Sequence, residues 1–181
     1  MTKQQEQLIK LIRSIPHNEE IKTEFESRVE FDVLTRDENP LNHFCVFFGA
    51  YDPKNKSVFI GHHIKANLWL FNGGHLDKGE SPMETLQREA GEEWGEKVKL
   101  ESNYNPKLLT ITKINNPKVN CRKHYDIWYF LPFDMNTFEP EQELLKKEFY
   151  QSGWKSIDAA KKLVTQPNTL LALTIIKKLF I

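Results

Sequence analysis

Arg88, Glu89, Glu92 and Glu93 fall within six residues of one another in this 181-residue chain. On a helix, at about 100° per residue, Glu92 lies about 60° to one side of Glu89 and Glu93 about 40° to the other. Three carboxylates then share an arc of about 100° on one turn. Clustered carboxylate oxygens are the donors that a hard divalent cation such as Mg²⁺ prefers, usually with several waters retained. Without a cation, like charges at i,i+3 and i,i+4 cost only about 0.2–0.5 kcal/mol per pair. A plain solvated acidic face is therefore the competing reading.

The elements that must present these side chains are legible on either side of them. Gly73, Gly74 and Gly79 open a glycine-rich loop. Ser81 suits an N-cap, Pro82 the first helical position, and Glu84 completes a capping box. Gly95 is the matching stop, so a helix is predicted from Pro82 to Trp94. Met83, Leu86, Ala90 and Trp94 form an apolar stripe beside the acidic one. The helix can bury one side and keep its carboxylates at the rim.

From Gly74 the order is Gly, five residues, Glu80, seven residues, Arg88-Glu89-Ala90, one residue, Glu92-Glu93, one residue, Gly95. This pattern resembles the signature of the Nudix hydrolase superfamily (MutT-like). Its final aliphatic position is occupied here by Glu96. At average residue frequencies, the seven fixed letters would arise by chance on the order of once in a hundred million windows. The longer run His62-His63-x5-Trp69-x3-Gly73-Gly74-His75 is similar to a subgroup with a Gly-Gly-His box start, in which a proline usually stands where Asn72 does.

The resemblance implies an α/β/α sandwich with a mixed sheet and Mg²⁺-dependent hydrolysis of a nucleoside diphosphate derivative, of the nucleoside triphosphate or nucleotide sugar type. Mn²⁺ is an alternative ion. Carried onto this chain, Glu92 and Glu93 would ligate metal and Glu89 would be a ligand or the base that activates water. A carbonyl of Gly73 or Gly74 would complete the ligand set, Arg88 would orient a glutamate, and Glu80 would steady the loop or reach an outer metal. Some relatives take a further carboxylate from a late loop, for which Glu141, Glu143 and Glu148 are the candidates here. The alternative function is a non-catalytic Nudix-like nucleotide sensor, although such modules are expected to lose box glutamates. An isoprenoid diphosphate isomerase of the same fold would need a catalytic cysteine motif that this sequence lacks.

Composition narrows the partners. Lysine plus arginine equals aspartate plus glutamate at 25 each, so no global field favours a polynucleotide or membrane surface. A small nucleotide substrate remains open. Cys45 and Cys121 lack CxxC spacing, which argues against a disulfide framework or a zinc site and for a cytoplasmic location. The first residues lack an apolar secretion core, and no run approaches the roughly 20 apolar residues of a membrane span.

Pattern alone gives an α+β chain. Residues 1–40 read as an N-terminal helical extension that could cover the sheet, touch substrate or form a homodimer. Residues 41–181 read as the motif-bearing domain. In the extension, Leu8, Leu11, Ile12 and Ile15 make one helix, and Asn18 could cap a second with Ile21, Phe25 and Val29. Strands are predicted over 43–51, 57–62, 69–71, 97–101, 107–113 and 123–132, and the stretch 134–148, where the resemblance implies a late loop, is acidic. Short helices are predicted from Ser156 and Pro167. His75, Trp69 and Tyr125 could contact substrate, with ordinary core or structural roles as the alternative. His124 and Asp126 could form an orienting pair, and Cys121 a reactive thiol.

Overall fold

The computed structural model describes residues 1–16, 19–31, 33–101, 103–115, 117 and 120–180. Two helices come first, α1 (Lys3–Ser14) and α2 (Glu19–Glu30). Thr2 caps α1 through a capping box with Gln5. The expected cap of α2, Asn18, lies outside the described residues. Strands β1 (Asn42–Asp52), β2 (Ser57–His63), β3 (Leu68–Leu70) and β4 (Asn72–His75) follow, then helix α3 (Pro82–Trp94). After β5 (Leu108–Lys113) and β6 (Lys123–Pro132) come α4 (Gln142–Glu148), β7 (Phe149–Ser156), α5 (Ile157–Leu163) and α6 (Pro167–Lys177).

The sheet is mixed. Its main order is β3-β2-β1-β6-β5, with β4 also on β1 and β7 also on β2. Strand β6 runs parallel to β1 along its length, and both are apolar on both faces, as a central pair must be. On its other edge β1 is shared: Cys45 to Phe48 pair with β4, whereas Tyr51 and Asp52 pair with β2. The edge therefore forks, and β4 is held as a separate short strand against the first half of β1.

Alternation divides two cores. Phe44, Val46 and Phe48 of β1 and Tyr125, Ile127 and Tyr129 of β6 pack with Leu86, Ala90 and Trp94 of α3 and with Leu8, Ile12, Phe25 and Val29 of the extension. Trp128 and Phe130 face the other way, onto Ile157 and Ala160 of α5 and Ala172, Leu173 and Ile176 of α6. The N-terminal helices thus cover the same sheet face as α3. Gln4 reaches further, donating to the Glu80 carbonyl at 2.6 Å.

Three segments depart from expectation. Residues 97–101 form no strand. Val98 and Leu100 pack on the core from an irregular segment, so their burial needs no strand pairing. The end of the acidic stretch is helical, α4, rather than loop. Strand β7 escaped the pattern because it is only partly buried; its partner β2 supplies the order.

Candidate active site

Helix α3 forms as its local signals predict. Ser81 and Glu84 exchange capping hydrogen bonds, and Gly95 ends the helix at φ 85°. Trp94 is fully buried against Phe48 and Phe138, which fixes the helix on the sheet. Glu96 follows the stop and is exposed, so it does not extend the acidic face.

Arg88 ties the box together. Its Nε donates to Glu80 Oε1 at 2.8 Å and one terminal nitrogen to Glu80 Oε2 at 3.1 Å and to the His75 carbonyl at 2.9 Å. The other terminal nitrogen donates to Glu89 Oε1 at 2.7 Å and to Glu92 Oε1 at 3.4 Å. A planar guanidinium offers such a fork to several oxygens at once, which an ammonium cannot. Arg88 thereby positions the glutamates, and Glu80 acts on the loop: it also accepts from Thr85 Oγ1 at 2.8 Å. The Arg88 pairing holds the Glu80 carboxyl below its ordinary range.

The two deeper carboxylates are strained electrostatically. Glu93 is 8% exposed, and burial pushes its pKa up to about 8 despite a hydrogen bond from Asn72 Nδ2 and one from the Gly73 N–H at 3.4 Å. Asn72, where the subgroup usually has proline, therefore does more than loosen a loop: its amide grips a box glutamate. Burial also raises Glu89, against the opposing pull of Arg88. The box glycines prove to be strand residues of β4 rather than a turn. Gly74 is needed for close approach, since a Cβ there would collide with the Glu89 carboxylate. Only Gly79, at φ 85°, serves a turn.

A cleft of about 880 Å³ lies over these groups. Glu89, Glu92, Glu93, Gly73, Gly74 and His75 line it, and so do Arg36, Lys65 and Lys147. Of the three late carboxylates, only Glu148 enters, with His63 Nε2 and Lys65 Nζ each 3.6 Å away. Glu143 is exposed and paired with Lys146 at 2.6 Å, and Glu141 sits against Gly95 at the end of α3. Placing Glu148 required α4, which carries it back over β2.

Among the substrate candidates, His75 lines the cleft, but the other two are elsewhere. Trp69 stacks on His62 with ring centroids 5.7 Å apart. Tyr125 is buried beneath the N-terminal helices, edge-on to Phe25 at 5.3 Å. His124 and Asp126 do not pair: Asp126 accepts from Thr110 and Thr112 at 3.0 and 2.5 Å. Arg36, Lys65 and Lys147 were missed because isolated cations outside the motif look like any solvated surface charge.

Fold and site together define a class: a mixed sheet between helices, with an arginine-braced acidic helix turned towards an open cleft. The NUDIX domain model matches residues 42–173, and the chain belongs to the NUDIX family; it is a pyrophosphohydrolase by family. Similar solved structures include a NUDIX-family hydrolase from Clostridium perfringens, at 24% identity and TM-score 0.54, covering 76% of this chain and 97% of that one. The E. coli dihydroneopterin triphosphate pyrophosphohydrolase is similar at 16% identity and TM-score 0.51, covering 75% and 94%. MutT from Aliivibrio salmonicida and Vibrio cholerae is similar at 15% identity and TM-score 0.51, covering 77% and 99%. These likenesses establish a shared fold. Comparison with curated proteins finds no match. No helix among the described residues is long and apolar enough to cross a membrane.

Proposed function

We propose that this enzyme hydrolyses the diphosphate linkage of a nucleoside diphosphate derivative with Mg²⁺ as cofactor and Mn²⁺ as a substitute. The observation that carries the reading is the cleft itself, where box carboxylates and three cationic side chains converge. Its volume of about 880 Å³ suits a nucleotide-sized ligand.

The residues present fit a divalent cation. Glu89, Glu92 and Glu93 offer hard oxygen donors, and the carboxylate that burial protonates, Glu93, is the one an added positive charge would return to its ionised form. Glu92 and Glu93, with the Gly73 carbonyl, are the proposed ligands. Such an ion, when bound, neutralises charge on phosphoryl oxygens and acidifies a water.

Arg36, Lys65 and Lys147, which also line the cleft, hold the polyphosphate. Glu89 takes the proton from the attacking water. Burial raises its basicity above that of an ordinary carboxylate, and Arg88 fixes its orientation. Glu148 adds a further carboxylate to the cleft lining, held near His63 and Lys65.

A panel of nucleoside triphosphates and nucleotide sugars, assayed with Mg²⁺ and Mn²⁺ and read by product identity, tests the proposal. Metal-stimulated cleavage that Glu92→Gln abolishes is expected. Saturable nucleotide binding with no product would replace it with the sensor reading.

A further inference from the structure

At one end of the sheet face opposite α3, four side chains meet that the hydrolytic site does not use. His43 and Cys45 project from β1, His75 from β4 and His124 from β6. The register brings them together: Cys45 stands opposite His75 on one side, and His43 opposite His124 on the other. Their potential ligand atoms all lie within 4.8 Å of one another. The His43 ring centroid is 4.8 Å from that of His75 and 4.7 Å from that of His124. Among the described residues, this is the group of histidine, cysteine and acidic side chains whose ligand atoms converge.

We propose that His43, Cys45, His75 and His124 form a closed four-ligand site for a borderline transition ion, Zn²⁺, separate from the carboxylate site of hydrolysis.

Three further observations point to a ligand there. His43 is fully buried, and its Nδ1 lies 3.0 Å from the Asn39 carbonyl, which can only accept. Nδ1 therefore carries the proton and Nε2 keeps its lone pair, which the Cys121 thiol approaches at 3.7 Å. Outer-shell fixing of a ring by a backbone carbonyl is the usual arrangement of a metal-bound histidine. His124 Nε2 is buried with no hydrogen-bond partner, a vacancy that proteins seldom leave. A cavity of about 130 Å³ is lined by Cys45, His75 and His124 together with Gly73, Gly74 and Glu93, residues that also line the cleft, so an ion has a way in.

The donor set suits the ion. Imidazole and thiolate favour Zn²⁺ over Mg²⁺, which binds oxygen. Tetrahedral bonds of about 2.0–2.3 Å place ligand atoms about 3.3–3.7 Å apart, so the cluster needs to tighten by roughly 1 Å. Loading breaks the Cys45 S–H bond, forms a sulfur–metal bond and releases the proton to solvent. Three neutral imidazoles, one thiolate and a dication leave a net charge of plus one. The buried, unpartnered Asp126 Oδ1, on the residue opposite Cys45 in β6, can balance it. The loaded site would staple β4, which carries the box glycines, to β1 and β6.

Reduced, metal-free protein titrated with Co²⁺ in excess Mg²⁺ tests this. One Co²⁺ per chain with a thiolate-to-metal charge-transfer band is expected, displaced by Zn²⁺, lost in Cys45→Ser and retained in Cys121→Ser and Glu92→Gln. The control at Cys121 matters because its sulfur lies 3.7 Å from His43 Nε2. No band, a band that survives Cys45→Ser, or one that Glu92→Gln removes would overturn the proposal. X-ray absorption of the Zn²⁺-loaded unaltered protein is independent of any variant's folding. One sulfur with three nitrogens supports the site, and a shell without sulfur refutes it.

Discussion

The box helix and the histidine–cysteine end of the sheet accommodate the same feature, crowded atoms of metal-ligand type, in opposite ways. On α3 the carboxylates are close in sequence, open to a large cleft and held apart by Arg88. At the sheet end the ligands come from three strands, are largely buried and have no cation among them to compensate. An exposed, oxygen-rich site suits an ion that must meet phosphate and water, while a closed nitrogen–sulfur site suits one that holds structure. His75 belongs to both: its carbonyl receives Arg88, and its ring joins the cluster.

Separating the two regions should produce its largest effect with Glu89→Gln. We expect kcat to fall about 10²–10⁴-fold, as for loss of a general base, with the Co²⁺ charge-transfer band intact. Steady-state kinetics and the Co²⁺ titration on one preparation check this together. Arg88→Ala should cost about 1.5–3 kcal/mol of unfolding free energy through its lost charged hydrogen bonds, measured by urea denaturation. Gly74→Ala should cost about 1–3 kcal/mol, because the Glu89 carboxylate must move away from the new methyl. Glu96→Leu, which restores the family's aliphatic residue at an exposed position, should stay within about 0.5 kcal/mol of the parent.

Protons sharpen the contrast in the metal-free protein. Glu93, raised from 4.5 to about 8, keeps its proton in the folded state after the unfolded chain has lost it. Its contribution to stability is therefore lost progressively as pH rises from about 4.5 towards 8. Burial lowers His75 to about 3 and His124 to about 4, so below about 6.5 the unfolded chain binds protons that the fold refuses. Their contribution falls as pH drops through that window. Between about 4.5 and 6.5 the two histidines outweigh the one glutamate, so thermal unfolding in chelator should show a maximum near pH 6.5 from these groups, with Mg²⁺ lifting the alkaline side. A midpoint that climbs steadily to pH 8 in chelator would break the comparison.

How much was legible follows from where each signal resides. Helix α3, its caps and its stop are local, so Ser81, Glu84 and Gly95 announced them. The central strand β6 and its two faces followed from alternation. Strand β7 and the fork of β1 were hidden, because their order comes from partners distant in the chain. The same reason misdirected the substrate contacts: Tyr125 and Trp69 are aromatic strand residues whose face and edge only pairing decides.

By itself, the sequence determined the family motif, the acidic arc and the arginine beside it, since all lie within a few helical turns. The tertiary structure chose Glu148 from three late carboxylates, brought Arg36, Lys65 and Lys147 to the cleft, and gave Asn72 its hold on Glu93. It also gathered His43, Cys45, His75 and His124 from three strands, the grouping on which the proposed zinc site rests. Linear spacing reports ligands only when one loop or helix carries them; cross-strand neighbours leave no such trace.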